Sequence, residues 1–576
     1  MSLRSRLRAA SLLLVGAALA SPCAASAATL VRLDDIRPEK VHVAGFALDA
    51  ERELTIETVG YRFSGGRRRD SSAWILNAQS RETVWTAREG EHSRESRRLT
   101  KTTDRVTLPA GRYEVYYSGY PQPWEDLRAD SVGEVIRGVF TMSFPDRDDE
   151  DYEDASRDFY VQVEGEGRPL SAEALMEGQE RLRESALLSF APLKDGRYEA
   201  RRLSVDAPVE LEIYAIGEMN RNAVYDGSWI LDTATRERVW TLDYQHSGSA
   251  GGASKNRVFR NTVSLPPGDY ALFCATDDTH HFGDWNSAPP RDPFFWGITV
   301  NLADPAQARH VTLADYEDLP AKDVVLALTG LRDDDHASGG FTLKRPTRLR
   351  VYALGEGDDD ELADTSWILD ADTRETVWEF RGHRSEHAGG ASKNRLVDTV
   401  IQLPAGNYIA HAVTDGSHAT GDWNASPPFD RQRWGLTVSV TDGDRSAVAD
   451  YDEGEDPAIL AQIVGVGDNA RERERFQLDR DGRVRVHALG EGESGRMYDY
   501  AWIEDDRGRT VWEMTARGSR HAGGVRKNRE CDATVDLKQG EYTVHYRSDG
   551  SHSCAGWNAD PPRDRWGWGV VVRKAD

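Results

Sequence analysis

One short block occurs four times along the chain. It reads Ala-Trp-Ile-Leu-Asn at 73–77, Ser-Trp-Ile-Leu-Asp at 228–232 and 366–370, and Ala-Trp-Ile-Glu-Asp at 501–505. A Val-Trp pair follows each block, ending at Trp85, Trp240, Trp378 and Trp512. The block Trp residues 74, 229, 367 and 502 lie 155, 138 and 135 apart, and all 16 Trp fall inside the four units. Repetition on this scale sets the architecture before any other feature, because each unit must bury its own apolar face or share it with a neighbour.

Each unit reads as β structure. Apolar residues alternate with polar ones at Phe476, Leu478, Val484, Val486 and Ala488, and the same span recurs from Phe46 to Gly60 and from Phe341 to Gly355. Period two marks half-buried strands. Turn signals such as Leu403-Pro-Ala-Gly406 separate about seven short strands per unit, as in an antiparallel sandwich. The fold expected is all-β: four tandem antiparallel β-sandwiches, jelly-roll or immunoglobulin-like, over 28–145, 184–303, 323–441 and 457–576. Acidic linkers would join them at 146–183 (with a short helix in Ser171–Ala186), 304–322 and 442–456. The paired Trp of the strands, such as Trp367 and Trp378, are expected in the sandwich interior. The first unit has Arg137 where the others are read as having a Trp before the last strand, so it is read as degenerate.

Residues 1–27 carry Arg4, Arg6 and Arg8, an apolar run from Ala9 to Ala20, and Ala25-Ser26-Ala27, the pattern of a cleaved secretory signal. Pro22 before Cys23 is a poor fit to lipid attachment. The expected destination is the periplasm or the outside of a bacterial cell. Beyond the first 27 residues no apolar run approaches the length of a membrane helix. A net charge of -25 argues against nucleic acid or anionic lipid as a generic partner. Three Cys remain in the mature chain, with no Cys-x-x-Cys pair to suggest a thiolate metal site. The connectors carry recurring Asp-Tyr-Glu or Asp-Tyr-Asp steps at 151–153, 315–317 and 450–452. They read as solvated spacers, with calcium as the alternative reading and no other cofactor expected.

The order of a strand, an Asp-x-x-Trp-Ile-Leu-Asp block (Asp364 to Asp370), a Leu-Pro-Ala-Gly-x-Tyr turn (Leu403 to Tyr408) and a final strand resembles the bacterial pre-peptidase C-terminal type of β-sandwich. The resemblance extends to all four units. It implies non-catalytic appendages of secreted enzymes, although this chain carries no enzyme domain for them to serve.

Units two to four share three loops that unit one lacks. The first holds Gly-Gly-x-x-Lys-Asn, with Lys255 and Asn256, Lys393 and Asn394, Lys527 and Asn528. The second begins at Asp277, Asp415 and Asp549 and passes His280, His418 and His552 to Trp285-Asn286, Trp423-Asn424 and Trp557-Asn558. The third is a Pro-Pro-x-Asp step ending at Asp292, Asp430 and Asp564, followed by a Trp-Gly step at Trp296, Trp434 and Trp566. A hairpin turning near Lys538–Glu541 would pair residues whose numbers sum to about 1,079, bringing Lys527 and Asn528 beside His552. The same register would set Cys531 near Cys554, where a disulfide could form. The chain has ten Lys among 72 basic residues, and three of the ten sit in these loops. A compact ammonium is kept where a planar guanidinium would not fit.

Two uses follow. The loops could form an internal clasp, with Lys capping carbonyls or pairing with Asp277, Asp415 or Asp549. Alternatively, the indoles could offer their faces to a glycan or surface ligand while Asn, His and Asp fix its orientation, with three copies acting together. A metal at Asp415 and His418 lacks a second His at ligand spacing. Ser417-His418 are sequence neighbours and poorly placed as nucleophile and base. Lys and Asn brought together beside a carboxyl such as Asp549 could also condense to an isopeptide. The reading is a secreted, non-catalytic binding or adhesive protein. The alternatives are a purely structural spacer and an accessory subunit of a secreted hydrolase. The oligomeric state is not legible.

Overall fold

The computed structural model describes residues 28–61, 73–120, 152–221, 223–318, 322–358 and 361–575. The signal-like segment 1–27, the acidic run before residue 152 and Arg137 lie outside them. Eight antiparallel sheets of four to six strands account for the fold, two to each repeat.

The third unit shows the plan. One sheet orders its strands Val324–Thr329, Gly435–Val440, Thr347–Glu356, Asn394–Leu403 and Glu386–His387; the other orders Thr376–Glu379, Thr365–Asp370, Gly406–Val413, His336–Leu343 and Val448–Tyr451. Alternation sends Leu349, Val351, Leu436 and Val438 of the first sheet against Phe341, Ile368, Tyr408 and Ala410 of the second, all nearly inaccessible. The other three sandwiches have equivalent two-sheet cores.

The turn read as a hairpin is instead an arch between sheets. Asn528–Leu537 pairs with Gly482–Glu493, whereas Gly540–Arg547 pairs with Arg471–Leu478 and Tyr500–Asp505. The cause is local and recurs four times. The tyrosine four residues past the turn proline donates its hydroxyl back to that proline's carbonyl: Tyr113 to Pro109 O (2.8 Å), Tyr270 to Pro266 O (2.9 Å), Tyr408 to Pro404 O (2.9 Å); in the fourth unit Lys538 replaces the proline and receives Tyr542 (2.9 Å). This corner fixes a step across the core. Cys531 therefore faces Ala488 rather than residue 548, and Cys554 lies elsewhere, its thiol 3.1 Å from Arg565 O. All three described cysteines are free, which corrects the expected disulfide.

Three further expectations change. The connectors are not spacers: Val311–Asp315 pairs with Tyr198–Val205, and Val448–Tyr451 with His336–Leu343, each adding an edge strand to the preceding sandwich. The first unit closes with Tyr160–Gly165, inside the stretch read as linker, and Phe159 stands where Trp296 and Trp434 stand in later units. The helix Ala172–Glu184, capped by Ser171, follows as the helical reading expected. Last, only the Val-Trp indole of each pair faces the core. Trp74, Trp229 and Trp367 point outward and are buried by the next unit.

That burial forms the junctions. Trp74 donates its indole N–H to Arg291 O of the second unit at 2.7 Å. The Trp229 ring lies 5.1 Å from Phe429 of the third, and Trp367 packs with Trp566 of the fourth. At each junction an arginine held at positive φ (Arg81, Arg236 and Arg374, at 58°, 59° and 61°) reaches forward from the turn before the Val-Trp strand. Arg81 binds Asp292 and Glu114, each at 2.7 Å. Arg236 binds Asp430. Arg374 reaches Glu453 at 2.6 Å, with Asp564 in electrostatic range. The Pro-Pro-x-Asp carboxylates thus belong to the junctions and not to the loop cluster, which corrects Asp430 as a ligand-orienting residue.

Candidate functional site

The three shared loops meet at one pole of each later sandwich. In the third unit Asn394, with no exposed surface, donates its amide to Gly389 O (2.7 Å) and Ser426 O (2.9 Å) and accepts from His418 Nε2 (2.6 Å). Asn256 repeats the pattern with Gly251, Ala288 and His280, and Asn528 with Gly523, Asp560 and His552. One side chain therefore ties the first loop to the other two. The Gly-Gly step permits it: Gly390 sits at φ 65°, and a Cβ there would lie 2.0 Å from Pro427 O.

His418 itself adopts φ 60°, and its counterparts 54° and 61°, a conformation disfavoured for a residue of this size. Two indoles hold the ring. Trp423 and Trp434 contact His418 edge-on at 5.0 and 5.8 Å and each other at 5.1 Å, geometry repeated in units two and four. In the fourth unit the inner indole is Trp568. The expected Trp566 belongs to the junction with unit three, because the Trp-Gly step is doubled there and the second copy leads the last strand. Burial and the nearby lysine drive His418 down to about 4 and His280 to about 3, so both rings are neutral.

The lysine ends differ from expectation. Lys393 Nζ lies 2.6 Å from Asn424 Oδ1 and 2.7 Å from Glu356 Oε1. Lys255 joins Asn286 (2.7 Å) to Glu218 (2.9 Å), and Lys527 joins Asn558 (2.7 Å) to Glu491 (2.9 Å). Asp277, Asp415 and Asp549 instead cap the turn that follows, accepting from the backbone of Thr279, Ser417 and Ser551.

Two acidic positions escaped the sequence reading. Asp226, Asp364 and Asp499 are buried, each accepting the inner indole N–H at 2.9–3.1 Å and the backbone N–H of Asp277, Asp415 or Asp549 at 2.7–2.8 Å. Their signal is a Glu-x7-Asp spacing, at Glu218 and Asp226, Glu356 and Asp364, Glu491 and Asp499, just before each Trp-Ile block. Carboxylate oxygens of Glu356, Asp364 and Asp415, and of Glu491, Asp499 and Asp549, lie within 4.8 Å of one another. That spacing suits a calcium ion with ligands at roughly 2.4 Å. The second oxygens of Glu218, Glu356 and Glu491 are buried without a hydrogen-bond partner. Desolvation, with repulsion from neighbouring carboxylates, raises Asp364 to about 8, Asp499 to about 7 and Glu218 to about 7. Among the described residues it is these triads, and not the connectors, that gather three carboxylates so closely.

Chemically, the arrangement is a closed brace. Lys393 Nζ is bonded to Asn424 Oδ1 and His418 Nε2 to Asn394 Oδ1, and the inner indole has no exposed face. No family model matches the chain, and no curated protein matches it. Solved structures that match include the CUB1-EGF-CUB2 domains of rat MASP-1, at 10% identity and a TM-score of 0.14 over 43% of this chain and 95% of that one. Another is the structure of the CBM32-1, CBM32-2 and M60 catalytic domains of Clostridium perfringens ZmpB, at 7% identity and a TM-score of 0.14 over 73% of this chain and 55% of that one. Overlap so slight carries no argument about function.

Proposed function

We propose that this chain is a non-catalytic binding protein, a braced tandem array that presents one open face, on its fourth sandwich, to an anionic glycan. The reading rests on a single comparison. The outer face of the Trp-Ile sheet is covered by the following unit in sandwiches one to three, whereas in the fourth no described residue of another unit covers it. Trp502 keeps the cross-strand stack common to all four units, here on His545 4.8 Å away and parallel.

The residues around Trp502 have changed to match. Arg471, Arg473 and Arg475 occupy the strand positions of Val41, Val43 and Gly45, or of His336, Ser338 and Gly340, and all three are exposed. Gly340 is small because Tyr451 O would lie 2.4 Å from a Cβ; Arg475 has no such neighbour to spare. The forward-reaching arginine is also gone. Gly508, at φ 71°, takes its place in the turn, so the face lacks the charge that receives another unit's Pro-Pro-x-Asp loop. Arg547 lies over Tyr500, extending the patch. Guanidinium forks suit carboxylates and sulfates, and the aromatic rings suit sugar faces. Such a patch on a chain of net charge -25 acts locally, since distant charges are screened. The repeated imidazole of the loop pole offers hydrolysis no support, since His418 is wholly buried and its Nε2 is held on Asn394.

The test is a panel of anionic and neutral polysaccharides presented to the full chain. Binding to a polyuronate or sulfated polymer should fall with salt and drop by about tenfold in Arg473→Glu/Arg475→Glu. Equal binding to neutral glycans, binding only to acidic proteins, or indifference to the double variant would overturn the reading. So would a hydrolytic turnover abolished by His418→Ala.

A further inference from the structure

The lysine, asparagine and glutamate at each loop pole do more than brace it. Nζ of Lys255, Lys393 and Lys527 approaches the side-chain carbonyl of Asn286, Asn424 and Asn558 at 2.6–2.7 Å, with a glutamate oxygen at 2.7–2.9 Å from the same nitrogen. The three copies agree within 0.2 Å. From this arrangement we propose that each pair condenses to an intramolecular isopeptide bond, Lys255 to Asn286, Lys393 to Asn424 and Lys527 to Asn558, with Glu218, Glu356 and Glu491 as proton carriers.

The step needs no oxidant and no second reactant. The glutamate takes a proton from the ammonium, leaving a neutral amine. The Nζ lone pair adds to Cγ of the asparagine, and the amine loses its second proton. That second proton reaches the amide nitrogen through the carboxyl, the Cγ–N bond breaks, and ammonia departs with the first proton, which the carboxyl still holds, as ammonium. One C–N bond forms, one breaks, and the glutamate ends as it began.

The surroundings supply what this requires. A carboxyl in water is too acidic to hold a proton from an ammonium, but Glu218 and Glu491 are more than nine-tenths buried. Burial disfavours a bare carboxylate, so proton transfer from lysine becomes less uphill. One oxygen of each glutamate meets lysine while the other is buried with no partner, which leaves it free to carry the proton. The indoles of Trp285, Trp423 and Trp557, next to each asparagine in sequence and packed on the neutral histidine, wall off one side. Each asparagine is exposed on the other, giving ammonia a way out. Arginine could not replace lysine, because a guanidinium does not become a neutral nucleophile at physiological pH.

Intact mass of the denatured full chain decides the matter. The expected value lies below the sequence mass by three ammonia, and digestion should yield branched peptides joining Lys393 to the segment containing Asn424. Glu356→Gln should restore the mass of one ammonia and keep the other two bonds, and Lys393→Arg should do the same. A folded wild-type chain at its full sequence mass would overturn the proposal, as would a gain from asparagine hydrolysis in place of the loss. A loss that persists in Glu356→Gln would remove the glutamate's role. None of these outcomes depends on glycan binding.

Discussion

Arg236 of the second sandwich donates Nε–H to Asp430 of the third at 2.9 Å, and both side chains are more than nine-tenths buried. A residue strained into positive φ in one repeat thereby meets a carboxylate that the next repeat's Pro-Pro turn presents, as Arg81 and Asp292 do one junction earlier. The Tyr352 hydroxyl donates to the same carboxylate at 3.0 Å, so the acceptor is also held from within its own repeat.

Removing one partner of such a pair leaves a buried charge uncompensated. Asp430→Ala should cost about 3 kcal/mol, the lower end for a broken buried pair, since Asp318 remains 3.2 Å from Arg236. The loss should fall on the junction: hydrogen exchange should rise around Trp229 and Phe429 while the core amides near Val351 stay protected. Uniform loss of protection across the third unit would contradict this.

Asn394 satisfies two loop carbonyls and one histidine with a single side chain. Asn394→Ala strands all three in a buried site, for a cost of about 2–4 kcal/mol in the unfolding of the third sandwich. Asn394→Asp should be worse, since its carboxylate would face Gly389 O and Ser426 O with no proton to offer. Chemical denaturation of the two variants checks the order.

The triads titrate in a defined direction. Asp364, near 8 in the fold and near 3.8 when unfolded, binds its proton more tightly in the native state. Its contribution is therefore full below about 3.8 and is lost as pH rises through 8. A calcium ion held by the triad would take the place of that proton. It should raise the melting temperature more at pH 8 than at pH 6, and chelation should reverse the gain. His418, pushed down to about 4, opposes this at the acid end, its contribution being lost as pH falls from 6.5 towards 4. His418→Asn should flatten that acid limb alone.

Cys274 and Cys554 are both raised to about 12 by burial, and Cys531 is raised as well. Thiolate is scarce at neutral pH under those conditions, so alkylation should be slow in the native chain and complete for all three on unfolding. A peptide map without reductant should show no fragment joining Cys531 to Cys554.

Much of this was legible in the residues alone. Strand alternation in Phe476 to Gly490, the recurring Trp-Ile blocks and the paired loop motifs set the all-β repeat, and the gathering of Lys393, Asn394, His418, Trp423 and Trp434 at one pole was expected. The route to that gathering was not. A tight Leu-Pro-Ala-Gly turn reads equally as a hairpin or as an arch, and the choice rests on the Tyr408 hydroxyl reaching Pro404 O, a contact without a periodic trace.

Local sequence determined which residues share a strand face, because side chains alternate along extended backbone whatever the partner. Tertiary structure alone decided which faces meet. Trp367 and Trp378 carry the same apolar signal, yet one faces its own core and the other the next repeat, and Glu356 joins Lys393 across 37 residues. Such pairings depend on how sheets stack and units dock. Those are non-local contacts, and a pattern of neighbours in the chain does not encode them.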